Sequence, residues 1–311
     1  MPALEGSPDS WPDRAGGLVS GDRCAAKAAW LREEGMPTER PSLWRRLLSG
    51  LGFGAGGAAS APAEPRSVTG GLDPASFEPG DFLWPKRKGA IVVRALPGEP
   101  ASAEARQWEA ERDRRLGSHT RSMQNPEVAE RLRSMRYEEF ERYYFEGATE
   151  SAVTRGIDIG GVKVSAGHVG IIEIAPDGAP YVIEAVPTGS LAILGGGTVQ
   201  RSPYPDWLAR RPDNQFWHGR LRGVDGAIRV RISEEAARHL GKPYDIFNFD
   251  LDDDTAFYCS KLAWMSVWRA AAIAVDDDPN PKRGGRFPPW FSPKQLLHAP
   301  RILVLSKPAD Y

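Results

Sequence analysis

Large apolar residues recur at regular intervals from about residue 80 to residue 305, whereas residues 1–75 carry few of them. In the patterned part, "PGDFLWP" at Pro79 and "GAIVVRAL" at Gly89 read as short strands. Two helical stretches follow, "SAEARQWEAERDRRLG" from Ser102 and "NPEVAERLRSMRYEEFERYYFEG" from Asn125. The second opens with Asn125 as N-cap, Pro126 at the first helical position and Glu127 in the first turn, where the helix dipole favours an acid. Val128, Leu132, Met135, Phe140 and Tyr144 fall along one face, which predicts a core stripe rather than a binding surface. Residues 101–147 therefore read as a helical insertion or flanking piece.

The clearest hairpin is "GHVGIIEIAPDGAPYVIEAVPTG", two apolar strands around Pro176-Asp177-Gly178. With a loop from Ala175 to Ala179 and Ile174 facing Pro180, the register sets Glu184 opposite Gly170 and makes it a same-face neighbour of His168. A carboxylate there can hold the imidazole in one tautomer. Glu173, by parity, points to the other face and reads as solvated. Further on, "SEEAARHLGKPY" predicts a short helix with Ser233 as N-cap, stopped by Gly241 and Pro243. "SKLAWMSVWRAAAIAV" predicts a strong helix with Leu262, Ala263, Val267 and Ala271 on one side and Trp264 and Trp268 on an adjoining one.

Cys259 falls at the start of that helix, where unpaired N–H groups and the dipole favour a thiolate. A free cysteine is as often an inert core residue, and the thiol alone leaves both readings open. A thiol at a helix start, a histidine on a strand and a carboxylate behind it nevertheless form the layout of an activated nucleophile.

Composition narrows the function classes. Lys+Arg at 40 against Asp+Glu at 41 gives net charge −1, so no global field draws the protein to nucleic acid or an anionic membrane. Two cysteines make no disulfide scaffold, and no ligand spacing for zinc occurs, so neither a metal nor a cofactor is expected. Asp250, Asp252 and Asp254 imitate a calcium loop, but Thr255 and Lys261 stand where Gly and Glu are needed, leaving a solvated acidic turn. "LGGGTV" at Leu194 lacks the lysine and helix of a phosphate loop. His119, His218, His239 and His298 read as surface or capping residues without a carboxylate partner on a regular element.

Residues 1–75 are rich in Gly, Ala, Pro and Ser and read as disordered. Within them Arg45 and Arg46 precede an uncharged run from Leu47 to Ala63, the layout of a twin-arginine-like signal over about residues 40–63. That reading needs translation to start at Met36 and implies a periplasmic or secreted protein; a flexible basic linker, and a cytoplasmic protein, is the other. Neither makes a transmembrane span.

The motifs also carry a family resemblance. "GDFLW" at Gly80, "HVGII" at His168, "IEA" at Ile183, "GKPYDIF" at Gly241 and "FYCSKLAW" at Phe257 resemble, in rotated order, the pieces of the NlpC/P60 cysteine peptidases, a papain-like group. The order resembles that of the circularly permuted branch, the YiiX/YaeF-like papain-fold amidases. The resemblance implies an α+β fold over residues 76–311, with a curved antiparallel sheet and the Cys259 helix packed on one side. It also implies Cys259 as nucleophile, His168 as base, Glu184 as third polar residue and Tyr244 as a substrate-side, oxyanion-supporting tyrosine. Lys261 departs from the Glu often found there. The implied activity is a cysteine-dependent amidase or peptidase on a peptide or amide, with peptidoglycan stem peptides expected if the chain is exported. A thioesterase or acyltransferase on lipid-linked acyl groups, suggested by Trp84, Trp217 and Trp264, and a non-catalytic binding module are the alternatives.

Overall fold

A computed structural model of the chain describes residues 66–68, 71–87, 91–92, 103–118, 125–144, 162–163, 167–188, 196–212 and 214–308. All lie in the second of two units, Pro62–Tyr311. The 40–63 segment, Met36 and His119 fall outside the described residues.

Nine strands are described: β1 (Arg66–Val68), β2 (Phe82–Arg87), β3 (Ile91–Val92), β4 (Val162–Lys163), β5 (Gly170–Ile174), β6 (Pro180–Pro187), β7 (Gly197–Pro203), β8 (Asn214–Leu221) and β9 (Ile302–Pro308). The main sheet runs β1-β9-β8-β2-β5-β6-β7, and a separate pair joins β3 to β4. From β9 to β7 every neighbour is antiparallel, and only β1 pairs in parallel, with β9. The architecture is thus mixed α and β around an open antiparallel sheet. Because β1 joins this sheet and Leu72 is buried, folded structure reaches into the stretch that composition assigned to disorder.

The described helices are α1 (Ala103–Ser118), α2 (Pro126–Ser134), α3 (Tyr137–Tyr144), α4 (Tyr204–Ala209), α5 (Gly226–Ala237), α6 (Cys259–Ala271) and α7 (Pro293–Leu297). Side-chain alternation divides the core in two. Phe82, Trp84, Ile171 and Ile183 pack into the larger cluster with α5, α6 and the aromatics of α1 to α3, whereas Leu83, Ile172, Val182 and Phe216 pack on Tyr204 and Trp207 of α4.

The long helix expected from Asn125 is two helices. Asn125 Oδ1 accepts from Glu127 N–H at 2.9 Å as predicted, but Met135 is extended and ends α2. Two groups stabilise the break: the Met135 carbonyl accepts from the Arg112 guanidinium, and Glu139 Oε2 accepts from Arg136 N–H to start α3. The bend keeps Val128, Leu132, Met135, Phe140 and Tyr144 all buried.

Other local expectations need correction. α5 begins seven residues before Ser233, because Asp225 caps it by accepting from Ile228 N–H at 2.8 Å; Ser233 lies inside and donates to the Val230 carbonyl. Glu173 does point to the face opposite Glu184, but it is ion-paired with Arg201 on β7 rather than merely solvated. The acidic turn is cation-paired: Asp250 meets Lys282 at 3.2 Å, and Asp254 meets Lys242 at 3.3 Å and Arg269 at 3.2 Å. Trp84, Trp217 and Trp264 are all buried, with Trp84 Nε1 donating to the Pro293 carbonyl and Trp264 Nε1 to Asp276. They are core, not the lining of an acyl groove.

Candidate active site

The site is assembled where the start of α6 meets the start of β5. Tyr258 is extended and its carbonyl accepts the first helical bond, from Leu262 N–H at 3.0 Å, so Cys259 is the first residue of α6. The helix start is anchored from behind. Ser260 Oγ donates to the Phe291 carbonyl at 2.6 Å, and Phe291 N–H donates to the Tyr258 hydroxyl at 3.2 Å. The first-turn N–H groups have no carbonyl partner within the helix and point toward the thiol end.

The hairpin has the predicted register, Ile174 opposite Pro180 through Ile171 opposite Ile183, which carries Glu184 to the level of Gly170. Gly170 is needed here, since a Cβ on it would come within 2.5 Å of Val182 Cγ1. His168 lies just before β5 and bridges the layers: one ring nitrogen, Nε2, is 2.7 Å from Glu184 Oε2, and the ring is near enough to Cys259 for the two charges to support each other. Val169 N–H, next along the chain, points to the same sulfur. Cys259 is only 3% exposed and Glu184 1%.

Glu184 shares the strand phase of Val182, which faces α4, and there it meets partners that no local sequence pattern announces. Trp207 Nε1 donates to its Oε2 at 2.8 Å, and Arg211 Nη2 reaches both carboxylate oxygens at 3.0 Å. Arg211 is itself clamped, its guanidinium 4.3 Å from the Trp207 ring centroid and donating to the Trp207 carbonyl. Burial opposes the carboxylate charge, but His168, Arg211 and Trp207 overcome it and hold the Glu184 pKa at about 2. For His168, burial opposes the cation, but the neighbouring Cys259 and Glu184 outweigh it and lift the pKa to about 9. The Cys259 thiol is opposed by burial and pulled below its ordinary value by the His168 cation, the Tyr144 hydroxyl and Val169 N–H. Both shifts run in the direction that favours a thiolate beside an imidazolium.

Tyr244 lies near enough to Cys259 for their charges to interact. Its N–H donates to the Gly197 carbonyl at 2.9 Å, while Asp245 N–H donates to the Phe257 carbonyl, placing the tyrosine alongside the run into α6. Burial first, and the nearby Cys259 charge second, keep its phenol protonated. A second tyrosine, Tyr144 at the end of α3, places its hydroxyl 3.6 Å from Cys259 Sγ. Its place in an apolar stripe pointed to core packing, and that stripe gave no sign of the sulfur.

His218 and His239 stay outside the site. Contrary to the sequence reading, His218 on β8 does hold a carboxylate, Asp81 Oδ2 at 2.7 Å, and Arg220 braces the same aspartate. This pair packs on Phe77, at 5.2 Å between rings, in the α4-side layer and away from the cysteine's cluster. His239 is buried against Phe257, at 4.5 Å between ring centroids.

No family model matches the chain. Over 114 residues it is 32% identical to the uncharacterized protein YiiX of Escherichia coli K12, a match covering 35% of this chain and 48% of YiiX. The chain thus spans about half the length of the curated relative it matches. The crystal structure of a metalloprotein YiiX from Escherichia coli O157:H7 aligns with 74% of this chain and 97% of its own, at 18% identity and a TM-score of 0.38. The sequence match supports a likeness to YiiX-like proteins and carries no activity with it.

Proposed function

We propose that the chain is a cysteine-dependent amide hydrolase of the permuted NlpC/P60 type. The observation that carries the reading is Cys259 electrostatically coupled to His168, whose Nε2 is 2.7 Å from a Glu184 locked by Trp207 and Arg211. In the proposed reaction the Cys259 thiolate adds to the amide carbonyl, and the His168 imidazolium gives its proton to the departing amine as the C–N bond breaks. His168, now neutral, takes a proton from water, the resulting hydroxide cleaves the thioester, and the proton returns the pair to its ionic form. Glu184 accepts from His168 Nε2–H and stabilises the cation. Cys259 N–H and Tyr244 are the groups placed to support the oxyanion.

Peptidoglycan stem peptides are the proposed substrates if the 40–63 segment directs export. Metal binding, stated for the YiiX structure, does not fit this donor set. Among the described residues no three His, Cys, Asp or Glu side chains converge as metal ligands, and a guanidinium already occupies the Glu184 oxygens.

Incubating wild-type protein and Cys259→Ala with stem peptides and simple peptide amides, with intact-mass detection of an acyl adduct, tests the reading. A thioester adduct and turnover seen only in wild type are expected. Turnover surviving in Cys259→Ala would overturn the assignment.

A further inference from the structure

Tyr144 is a site neighbour supplied by the described helices α1 to α3, which lie outside the motif-bearing parts of the chain. Its position is determined by a chain of ring contacts. Phe140 stacks on Tyr144 at 5.4 Å between centroids and is itself stacked on Trp108 and set edge-on to Trp290, both at 5.0 Å. Trp290 is in turn fixed by Nε1 donating to the Ile246 carbonyl at 3.0 Å, and Tyr258, the residue before the nucleophile, meets Tyr144 edge-on at 6.3 Å. Phe140, Trp108 and Trp290 are each at most 3% exposed, so the ring has little room to turn, and its hydroxyl ends 3.6 Å from Cys259 Sγ.

We propose that Tyr144 poises the nucleophile: its hydroxyl donates to the Cys259 sulfur and favours the thiolate, making the helical segment part of the site rather than a packing insertion. The direction of the bond follows from the charge state. A thiolate has no proton to give, so within the ion pair the phenol must be the donor, and a hydrogen bond to an ionised acceptor is stronger than one between neutral groups. Burial together with the thiolate's charge keeps the phenol from ionising, so the donor persists across the working range. The inference builds on the proposed hydrolase for its catalytic consequence, but the bond itself does not need that reading.

The test is Tyr144→Phe, which keeps the ring and its stacking and removes the hydroxyl alone. Tyr143→Phe, on a neighbouring ring packed edge-on to Phe287 at 4.9 Å, serves as the control for loss of a buried hydroxyl. Iodoacetamide labelling of Cys259 across a pH series should give an apparent pKa about one unit higher in Tyr144→Phe, a tenfold loss of thiolate at lower pH, with Tyr143→Phe unchanged. With an amide that wild type turns over, the acid limb of kcat/KM should rise by the same amount. An unaltered labelling pKa in a folded Tyr144→Phe protein would overturn the proposal, because a purely structural tyrosine moves the melting temperature and not the thiol's titration. Should wild type turn over no amide at all, the hydrolase reading fails while the labelling profile still decides the role of Tyr144.

Discussion

Cys259, His168 and Glu184 hold their charges through one another, and the three titrations are linked. The Glu184 pKa is held from 4.5 down to about 2, worth about 3 kcal/mol of folded-state stability. A depressed carboxylate contributes fully above its unfolded value and loses that contribution as pH falls through the folded one. The melting temperature of wild type relative to Glu184→Gln should therefore be highest above pH 4.5 and converge between 4.5 and about 2. His168 has the opposite sign: its contribution is complete below 6.5 and lost as pH rises through about 9. In turnover, His168→Ala should cost more than Glu184→Gln, with the double variant little worse than His168→Ala, because residues acting as a unit are non-additive. Fully additive losses would show that they do not share one site. Arg211→Ala leaves a buried carboxylate short of a cation and should weaken both stability and activity, read as a lower melting temperature and a lower kcat.

At the scale of elements, the β6–β7 junction connects the hairpin to Tyr244. Gly197 pairs with Pro187 in a left-handed conformation, φ +92°, and its carbonyl accepts from Tyr244 N–H. A Cβ there would stand 2.1 Å from the Val186 carbonyl oxygen, so no side chain fits without moving the backbone. Gly197→Ala should destabilise by about 2 kcal/mol or more and disturb Tyr244 as well, measured as a lower denaturation midpoint and a lower kcat. Gly178, in the hairpin turn at φ +84°, has open space around it, and Gly178→Ala should cost only the turn strain. The contrast separates backbone conformation from collision.

Across the whole molecule, the buried groups outside the site set the response to acid. His239 has no hydrogen-bond partner for either ring nitrogen among the described residues, and burial, aided by Lys242 and Arg269, lowers its pKa to about 4. The unfolded chain takes up this proton near pH 6.5 and the folded chain only near 4, so stability falls as pH drops through that window. Lys261 lies wholly buried on α6, its Nζ donating to the Asn248 carbonyl, and burial lowers its pKa to about 7 against the pull of Asp253, Asp250, Asp245 and Asp252. Its effect raises stability as pH climbs from 7, opposing the loss from His168. The melting temperature should accordingly fall first on the acid side, and His239→Leu should flatten the curve between pH 6.5 and 4. An unchanged slope in that variant would assign the acid response elsewhere.

Period-two alternation and one turn sufficed for the hairpin register, and with it the His168–Glu184 pair, because adjacent strands leave the chain few alternatives. Apolar periodicity in the residues that follow likewise placed Cys259 at a helix start. Arg211 and Trp207 behind Glu184, and Tyr144 over the sulfur, were decided only by tertiary structure. A surface-type arginine, a core-type tryptophan and a stripe tyrosine carry no local mark of their partners. The bend at Met135 and the docking of α3 depend on Arg112 and on the Phe140, Trp108 and Trp290 stack, contacts between residues far apart in the chain. Short-range spacing therefore determined the His168–Glu184 pair and the start of the Cys259 helix, while long-range packing determined what surrounds and supports them.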